Sequence, residues 1–251
     1  MVLRPVQVNI KALDPARVGR FWAEALGWTT STAGAATYIA PAGGPLRPDP
    51  AAPAVSAISV VPSPEGKTAT KNRTHLDLAT TSLAHQTELV ARLRDLGATP
   101  VDLGQGEDVP WVVLADPEGN ELCVLEPREI YRDTGPIAAV VVDCAEPRAM
   151  ARFWGGALDW TVRRATDDIA VLSAADGTGT FLELFRVPGP KTVPDRVHLD
   201  LMPYPGEDTT AEVTRLRDLG ATVLDLGQGD VPWTCLEDPE GHEFRVLAPL
   251  S

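Results

Sequence analysis

The sequence predicts an α+β protein built from four β-α-β-β-β units, arranged as two homologous halves. Two observations lead to this prediction. Strand-like segments, in which apolar and polar residues alternate, flank helix-like segments whose apolar residues recur at helical spacing. Several motifs also occur twice along the 251-residue chain. We therefore expect two tandem domains, at residues 1–128 and 136–251, each with two units forming a cupped mixed sheet with helices outside.

The first unit begins with a strand at residues 6–13, where apolar and polar side chains alternate. Asp14 and Pro15 then supply an N-cap and a proline for the first helical turn, and Gly27 supplies the helix end. The rest of the unit comprises a strand at 28–39, a Pro/Gly/Ala-rich loop at 41–53 and a strand at 55–61, with room for one more short strand.

The second unit begins with a strand at residues 74–79, followed by an amphipathic helix at 83–96 that Gly97 ends. An Asp-Pro-Glu-Gly sequence at 116–119 is typical of a turn. The strands of this unit are predicted at 99–103, 111–115 and 121–125. After a linker at about 128–136 the pattern starts again, with Phe153-Trp154 matching Phe21-Trp22, 215–222 matching 92–99, and 238–241 matching 116–119.

The composition narrows the classes of partner. The formal net charge of −13 disfavours nucleic acid and anionic membranes. The three cysteines have no CxxC spacing, which favours free thiols in a reducing cytoplasm. The N-terminus runs into a strand without an apolar signal region, and no apolar run approaches membrane-spanning length. We expect a cytoplasmic protein with a small-molecule partner, and its oligomeric state stays open.

One repeated strand carries the most chemistry. Residues 73–78 read Arg-Thr-His-Leu-Asp-Leu, and residues 196–201 read Arg-Val-His-Leu-Asp-Leu. Alternation along a strand places the histidine and the aspartate on one face and the leucines on the other. The histidines are candidates for catalytic bases, for ligand contacts or for members of a structural hydrogen-bond network. Either the aspartates or the nearby arginines could be their partners. The residues concerned are His75, Asp77 and Arg73 in the first copy and His198, Asp200 and Arg196 in the second.

Four such units, with a strand–Asp-Pro–helix start and a final Asp-Pro-Glu-Gly hairpin, resemble the vicinal oxygen chelate superfamily. This superfamily includes glyoxalases, bleomycin-resistance proteins and extradiol dioxygenases. Residues 71–78 and 116–125 look like its glyoxalase-like domain branch, and the resemblance covers nearly the whole chain. It implies that each pair of units curls its strands around a cup that holds the ligand, often with a metal at its base.

The resemblance also implies four metal-ligand positions per cup, a His or Gln on each unit's first strand and a Glu on a late strand. In the first half these positions fall on Gln7, Ala57, His75 and Cys123. In the second half they fall on Ala139, Glu183, His198 and Arg245. Neither set is complete, and a guanidinium repels a cation. We therefore expect metal-independent cups, in which Glu183 and Arg245 form a charge pair or together bind a polar ligand from two sides. A non-standard divalent metal site is an alternative, with Asp77 and His75 or with Glu183, His198 and Asp200 as ligands. Cys123 could also join His75 as a soft ligand if its thiol is deprotonated.

Further candidates for ligand contact lie near the duplicated hairpins. A tryptophan at a cup mouth would stack on a flat ligand, although core packing is equally consistent with the pattern. The glutamates share strand parity with Cys123 and Arg245, so they face the cup or lie at its rim. These candidates are Trp111, Glu121, Trp233 and Glu243, and Cys123 is expected to line the cup.

Three functions are consistent with these features. The first is metal-independent binding of a small organic molecule, such as a drug or a metabolite, as in the antibiotic-sequestering members of the superfamily. The alternative is a lyase, isomerase or dioxygenase that uses His75 or His198 as an acid or base, with or without a divalent metal. The third is a scaffold for protein interaction, in which neither cup accepts a ligand.

Overall fold

The structure, a computed structural model, describes residues 3–43, 55–104, 106, 108–158, 160–225, 227, 229 and 231–248. Most of the loop predicted at 41–53 lies outside these residues. Unit 1 comprises β1 (Leu3–Ala12), α1 (Pro15–Leu26), β2 (Thr29–Ala33), β3 (Ala36–Ala40) and β4 (Ala57–Pro62). Unit 2 comprises β5 (Thr74–Leu78), α2 (Leu83–Asp95), β6 (Thr99–Pro100), β7 (Trp111–Ala115) and β8 (Glu121–Leu125).

The second half repeats this order after a short 3₁₀ helix at Glu129–Tyr131 in the linker. Unit 3 comprises β9 (Ile137–Cys144), α3 (Pro147–Ala157), β10 (Trp160–Ala165), β11 (Ile169–Ala174) and β12 (Phe181–Arg186). Unit 4 comprises β13 (Val197–Pro203), α4 (Thr209–Asp218), β14 (Thr222–Val223), β15 (Trp233–Glu237) and β16 (Glu243–Leu247). None of the helices among the described residues is long and apolar enough to span a membrane.

Local sequence signals determine the ends of these elements. The Asp14 side chain accepts a hydrogen bond from the backbone N–H of Arg17, and Gly27 ends α1 with a left-handed backbone (φ 68°). The strand predicted at 28–39 is divided into β2 and β3. The division occurs because Gly34 adopts a φ of 61°, which permits a tight turn there.

Each of the two eight-stranded sheets joins one unit from each half. Units 1 and 4 form one sheet, in the order β14-β15-β16-β13-β1-β4-β3-β2, and we call it the outer-pair sheet. Units 2 and 3 form the other, in the order β10-β11-β12-β9-β5-β8-β7-β6, and we call it the inner-pair sheet. In each sheet the first strands of two units pair antiparallel, β1 with β13 and β5 with β9. The α+β class and the four repeated units are confirmed.

The two faces of each sheet differ in what they contact. One large apolar core contains residues from both sheets and from all four helices. In the inner-pair sheet the opposite face carries a second, separate apolar cluster. In the outer-pair sheet the opposite face is mostly polar, with buried Gln7, Asn9, Ser59, His198 and Asp200. We call these two faces away from the helices the inner-pair cup and the outer-pair cup.

The duplicated Asp-Pro-Glu-Gly turns connect the two sheets within each half. The Glu118 carboxylate accepts hydrogen bonds from the backbone N–H groups of Leu13 (2.8 Å) and Asp14 (2.7 Å), just after β1. The Glu240 carboxylate binds the backbone N–H groups of Ala145 (2.5 Å) and Glu146 (2.8 Å), just after β9. Each turn leaves a strand of one sheet and holds the start of a helix from the other. The motif therefore stabilises the arrangement of the sheets.

Candidate functional site

The inner-pair cup has a polar floor made by three neighbouring side chains. His75 and Asp77 alternate along β5, and Cys123 lies opposite Asp77 on β8. One ligand atom from each residue lies within 4.8 Å of those from the other two. The His75 Nε2 and Asp77 Oδ1 atoms are 3.4 Å apart, so residues two positions apart on this strand do come together. The histidine and aspartate are therefore each other's neighbours.

The Cys123 thiol is held in its protonated form. Burial raises its pKa strongly, and the negative charge of Asp77 and a hydrogen bond to it raise the pKa further. A thiol rather than a thiolate is a poor nucleophile. Cys123 consequently lines the floor of the cup as a small, weakly polar group, unless a bound cation deprotonates it.

Glu183 and Tyr131 form a second polar pair in the same cup. Glu183 lies on β12, across β9 from His75, and the Tyr131 hydroxyl donates to its carboxylate over 2.5 Å. Burial raises the pKa of Glu183, and the bond from Tyr131 offsets part of this rise. Tyr131 belongs to the linker 3₁₀ helix, so the linker contributes a side chain to the cup. Tyr131 was not among the predicted site residues, because the linker was interpreted only as a connection between the two halves.

The walls of the inner-pair cup are apolar. The rings of Tyr131 and Phe181 meet edge to face with centroids 5.6 Å apart. Trp111 is half-buried and packs against the same cluster. The other buried members on the strands include Val113, Leu125, Ala139, Val141 and Val171. This cup therefore combines an apolar wall with a small number of polar groups at its floor, as small-molecule pockets do.

The outer-pair cup contains a closed ion-pair network instead. Arg245 donates from Nε to Asp200 Oδ1 (2.7 Å) and from Nη2 to Asp200 Oδ2 (2.6 Å). Gln7 Nε2 donates to Oδ2 of the same carboxylate over 2.6 Å. The guanidinium also lies 5.2 Å from the centroid of the Trp233 ring. Burial lowers the pKa of Arg245, but Asp200 outweighs this and raises it. The bidentate pair is thus charged on both sides.

His198 is neutral beside this network. Burial lowers its pKa well below the usual value, and the positive charge of Arg245 lowers it further. Its Nε2 atom is 3.6 Å from Asp200 Oδ1. Within the part of the chain that the structure describes, both His198 ring nitrogens, the side-chain amide of Asn9 and Gln7 Oε1 have no hydrogen-bond partner. The floor of this cup therefore offers neutral donors and acceptors around a neutralised ion pair.

The site residues are grouped differently from the prediction. The sequence assigned Gln7, Ala57, His75 and Cys123 to one cup and Ala139, Glu183, His198 and Arg245 to the other. That grouping is wrong, because the sheets pair unit 1 with unit 4 and unit 2 with unit 3. The outer-pair cup contains Gln7, Ala57, His198 and Arg245, and the inner-pair cup contains His75, Cys123, Ala139 and Glu183.

The predicted charge pair between Glu183 and Arg245 is wrong for the same reason. Arg245 binds Asp200, and Glu183 binds Tyr131, so these two charged residues lie in different cups. A metal site that joins Glu183 to His198 and Asp200 is excluded in the same way. Each sheet forms through antiparallel contact between first strands that are far apart in sequence. Local patterns do not encode that contact.

The two motif arginines bind backbone carbonyls rather than the cup aspartates. Arg73 donates to the carbonyls of Val187 (3.4 Å), Gly189 (3.0 Å) and Pro190 (3.1 Å). Arg196 donates to those of Lys11 (2.6 Å) and Glu65 (2.7 Å), and it pairs with Glu118. Both arginines thus hold loops at the strand ends. Their hydrogen bonds go to these loops and not to the aspartates of the two cups.

Glu121 and Glu243 begin the last strands of units 2 and 4 and form ion pairs there. Glu121 lies 2.9 Å from Lys67 Nζ, and Glu243 lies 2.9 Å from Lys11 Nζ. The hydrogen bond from Lys11, that lysine's charge and other contacts lower the pKa of Glu243 against the opposing effect of burial. Both glutamates are thus held in ion pairs with lysines, rather than left with uncompensated charge.

The two cups differ in whether they could hold a metal ion. In the outer-pair cup, Arg245 occupies a ligand position and Gln7 and Asp200 already bind each other, so the residues do not fit a cation. In the inner-pair cup, His75, Asp77 and Cys123 offer nitrogen, oxygen and sulfur atoms close together. This set fits a borderline cation such as zinc, provided that the cation deprotonates the thiol.

Comparison with known proteins agrees with this fold. The glyoxalase-like domain matches the chain twice, at residues 7–125 and 139–247, so the protein belongs to the glyoxalase-like domain family. The resemblance to the vicinal oxygen chelate superfamily is thereby confirmed. The comparison with curated proteins returned no match.

Solved structures with similar folds include enzymes. Glyoxalase I from Zea mays aligns with a TM-score of 0.65 at 16% identity, over 98% of this chain and 92% of the maize chain. A putative dioxygenase from Bacillus subtilis subsp. subtilis str. 168 aligns with a TM-score of 0.63 at 13% identity, over 98% of this chain and 86% of that chain. At these identities the similarity establishes the fold and leaves the chemistry to the residues of this chain.

Proposed function

We propose that the protein binds a small organic molecule in the inner-pair cup without requiring a metal. The observation that carries this proposal is the second apolar cluster, which surrounds the polar floor of His75, Asp77 and Cys123 on the face away from the helices. Apolar walls supply most of the binding free energy, and a few polar groups orient the ligand. A mainly apolar molecule with one or two hydrogen-bonding groups matches this arrangement.

The floor has hydrogen-bonding capacity to spare. Among the described residues, His75 Nδ1 and Asp77 Oδ1 have no hydrogen-bond partner, although both are buried. A buried polar atom without a partner costs about 1–3 kcal/mol, and a ligand group that satisfies it recovers this free energy. Because an ionised aspartate only accepts hydrogen bonds, the ligand is expected to present a hydroxyl or N–H donor to Asp77.

Metal independence is supported by the state of the polar groups. The raised pKa of Cys123 keeps its thiol protonated, and the Glu183 carboxylate already accepts from Tyr131. Of the four superfamily ligand positions in this cup, Ala139 carries no donor atom. The ligand can be held by hydrogen bonds and apolar contact alone.

The test compares two alanines that each lie on a cup face. Ala139 lies between Asp77 and Phe181 in the inner-pair cup, and Ala57 lies beside Gln7 in the outer-pair cup. Equilibrium dialysis against small molecules extracted from the source cells, read by mass spectrometry, identifies what the protein retains. We expect Ala139→Phe to lose at least tenfold in affinity for that molecule and Ala57→Phe to keep it.

Both substitutions overpack a buried position at a similar cost of about 1–3 kcal/mol, and circular dichroism verifies that each variant is folded. A chelator in the dialysis buffer should leave retention unchanged. Retention by Ala139→Phe with loss in Ala57→Phe would move the site to the outer-pair cup. Loss of retention in the presence of chelator would contradict metal independence.

A second candidate function is an enzyme of the superfamily, acting as a lyase, isomerase or dioxygenase. The closeness of His75, Asp77 and Cys123 favours it, because Asp77 can hold the His75 ring while His75 Nδ1 accepts or donates a proton at the ligand. A zinc-like ion held by these three residues would polarise a ligand oxygen. Cobalt(II) titration discriminates: this candidate predicts a stoichiometric thiolate–cobalt absorption band that Cys123→Ser abolishes. Metal-independent binding instead predicts that the protein retains its ligand when no metal ion is bound.

A further inference from the structure

A cavity of about 610 Å³ lies between α1, α2 and the linker, away from both cup floors. Residues 127–132 of the linker form one side of it, and the start of α2 with its Leu89 and Arg92 forms the other. The same linker segment carries Tyr131 towards the inner-pair cup. We call this space the linker cavity. Its size falls in the range of about 300–1,000 Å³ that is typical of small-molecule pockets.

The linker cavity is rich in positive charge, although the protein as a whole is acidic. Three arginines line it, namely Arg92, Arg128 and Arg132, whereas Glu129 is the single carboxylate among its described lining residues. The chain carries a formal net charge of −13. A concave surface that concentrates cations on an acidic protein attracts small anions locally.

The repeat shows that Arg92 has lost an acidic partner. Its counterpart in unit 4 is Arg215, which pairs with the fully buried Glu212 over 2.7 Å and 3.0 Å. The residue in the place of Glu212 in unit 2 is Leu89. Both arginines keep one common contact: Arg92 donates to the Ala25 carbonyl (3.0 Å), as Arg215 does to that of Ala157 (2.9 Å).

Arg92 is therefore positioned but not neutralised. Among the described residues no carboxylate forms an ion pair with it, whereas Arg215 is compensated at once by Glu212. A guanidinium fixed by a backbone carbonyl at the edge of a cavity is a preorganised receptor for an oxyanion. The difference between the two copies is a single residue on the preceding helical turn.

A further donor, the His85 ring, borders the cavity. His85 Nδ1 accepts a hydrogen bond from the backbone N–H of Thr81 (3.1 Å). The hydrogen of the neutral ring must then lie on Nε2, which makes that atom a donor. Thr81 and His85 also lie at the N-terminal end of α2, where the helix dipole favours negative charge.

We propose that the linker cavity binds a small organic oxyanion, a phosphate or carboxylate carried on an organic body. Arg92 is its central contact, because Arg132 is already paired with Glu129 and Arg128 Nε lies 3.9 Å from Glu126 Oε1. The cavity volume accommodates more than an inorganic ion, so the rest of the ligand would lie against Leu26, Leu78 and Leu89. Its ligand differs in charge from the mainly apolar molecule proposed for the inner-pair cup, although Tyr131 borders both spaces.

Isothermal titration calorimetry at constant ionic strength tests the proposal with pyrophosphate and citrate as probes. The full-length protein should bind at least one probe with a stoichiometry of one, and the preferred probe distinguishes a phosphate from a carboxylate ligand. Arg92→Gln keeps a donor for Ala25 but removes the charge, so it should weaken binding about tenfold or more. Leu89→Glu rebuilds the acid found at Glu212 and should have the same effect by neutralising Arg92.

Arg94→Gln is the matched control, because Arg94 is exposed on the same helix and does not line the cavity. It should bind the probe as the unchanged protein does. Should neither probe bind the unchanged protein, or should Arg94→Gln weaken binding as much as Arg92→Gln, the proposal is overturned. Circular dichroism of each variant verifies its fold, and Arg92→Gln keeps the test valid if Leu89→Glu does not fold.

Discussion

The two cups contain the same His-x-Asp strand, yet their aspartates have opposite neighbours. In the outer-pair cup, Asp200 lies opposite Arg245 on the next strand. In the inner-pair cup, Asp77 lies opposite Cys123 at the corresponding position. A guanidinium there binds both carboxylate oxygens and closes the floor into an ion pair. A thiol there leaves the carboxylate beside His75, and these are the groups that the proposed ligand would contact. The residue at this one position, Arg245 or Cys123, thus determines whether the aspartate on the neighbouring strand forms an ion pair.

The first strands of the two cups also differ in polarity, and again the outer-pair cup is the more polar. On β1 the outer-pair cup receives Gln7 and Asn9, whereas on β9 the inner-pair cup receives Ala139 and Val141. The outer floor is therefore polar throughout, and the inner floor is polar only beside β5, β8 and Glu183. Burying polar groups is costly unless they are paired. In the outer-pair cup Asp200 is paired with Arg245 and Gln7, whereas the His198 ring has no hydrogen-bond partner among the described residues. The inner-pair cup instead gains apolar surface that a ligand can cover.

Removing the outer carboxylate should give the largest effect. Asp200→Ala leaves Arg245 buried without its ion-pair partner, and breaking a buried pair in this way costs about 3–5 kcal/mol. Asp77→Ala, the matched change in the inner-pair cup, removes no such partner and should cost much less. Urea unfolding of the two variants measures both. Similar losses would show that the ion pair does not distinguish the cups.

A double substitution tests whether the loss of stability in Asp200→Ala comes from the unpaired guanidinium. Arg245→Met combined with Asp200→Ala removes both charges, and replacing a buried pair by apolar groups is often close to neutral. The double variant should therefore recover most of the stability that Asp200→Ala loses. Failure to recover would mean that the loss comes from the cavity and not from the uncompensated guanidinium.

The pH dependence of stability should have opposite signs in the two cups. The pKa of His198 is lowered in the folded state, so its contribution to stability is present above about pH 6.5 and is lost as pH falls below that value. The pKa of Glu183 is raised, so its contribution is present at low pH and is lost as pH rises above 4.5.

Two amide variants separate these contributions. His198→Gln should gain stability relative to the unchanged protein as pH falls below about 6.5. Glu183→Gln keeps an acceptor for Tyr131 and should gain relative stability as pH rises above 4.5. Urea unfolding free energies measured across pH give the two difference curves. Curves with the same sign, or flat curves, would contradict the assigned environments.

Local patterns were enough to predict much of this molecule. The alternation in β5 and β13 predicted that each histidine shares a sheet face with its aspartate, and in the structure these side chains lie 3.4 Å and 3.6 Å apart. The repeated motifs predicted four units, because local sequence patterns specify the strands, helix and turns of each unit. The strand pairing between halves could not be predicted, since it depends on contacts between residues far apart in sequence, such as Val8 with Leu199 and Thr74 with Val142.

That missing contact explains the errors at the site. Once β1 pairs with β13 rather than with the second unit of its own half, Gln7 meets Asp200 and not His75. Tyr131 was missed for a related reason. It lies in the linker, and only the folded chain brings its hydroxyl to Glu183, 52 positions away along the chain. Side chains that complete a site from a connecting segment carry no periodic signal.

The most direct test of the difference between the cups is a crystal structure of the protein after incubation with small molecules from the source cells, with metal analysis of the same sample. We predict an organic ligand in the inner-pair cup, in hydrogen-bond contact with His75 or Asp77. The sample should contain no stoichiometric metal, and the Asp200–Arg245 pair should be intact. A ligand bound in the outer-pair cup with that pair broken, or an inner-pair cup whose ligand is held through a stoichiometric metal ion, would contradict it.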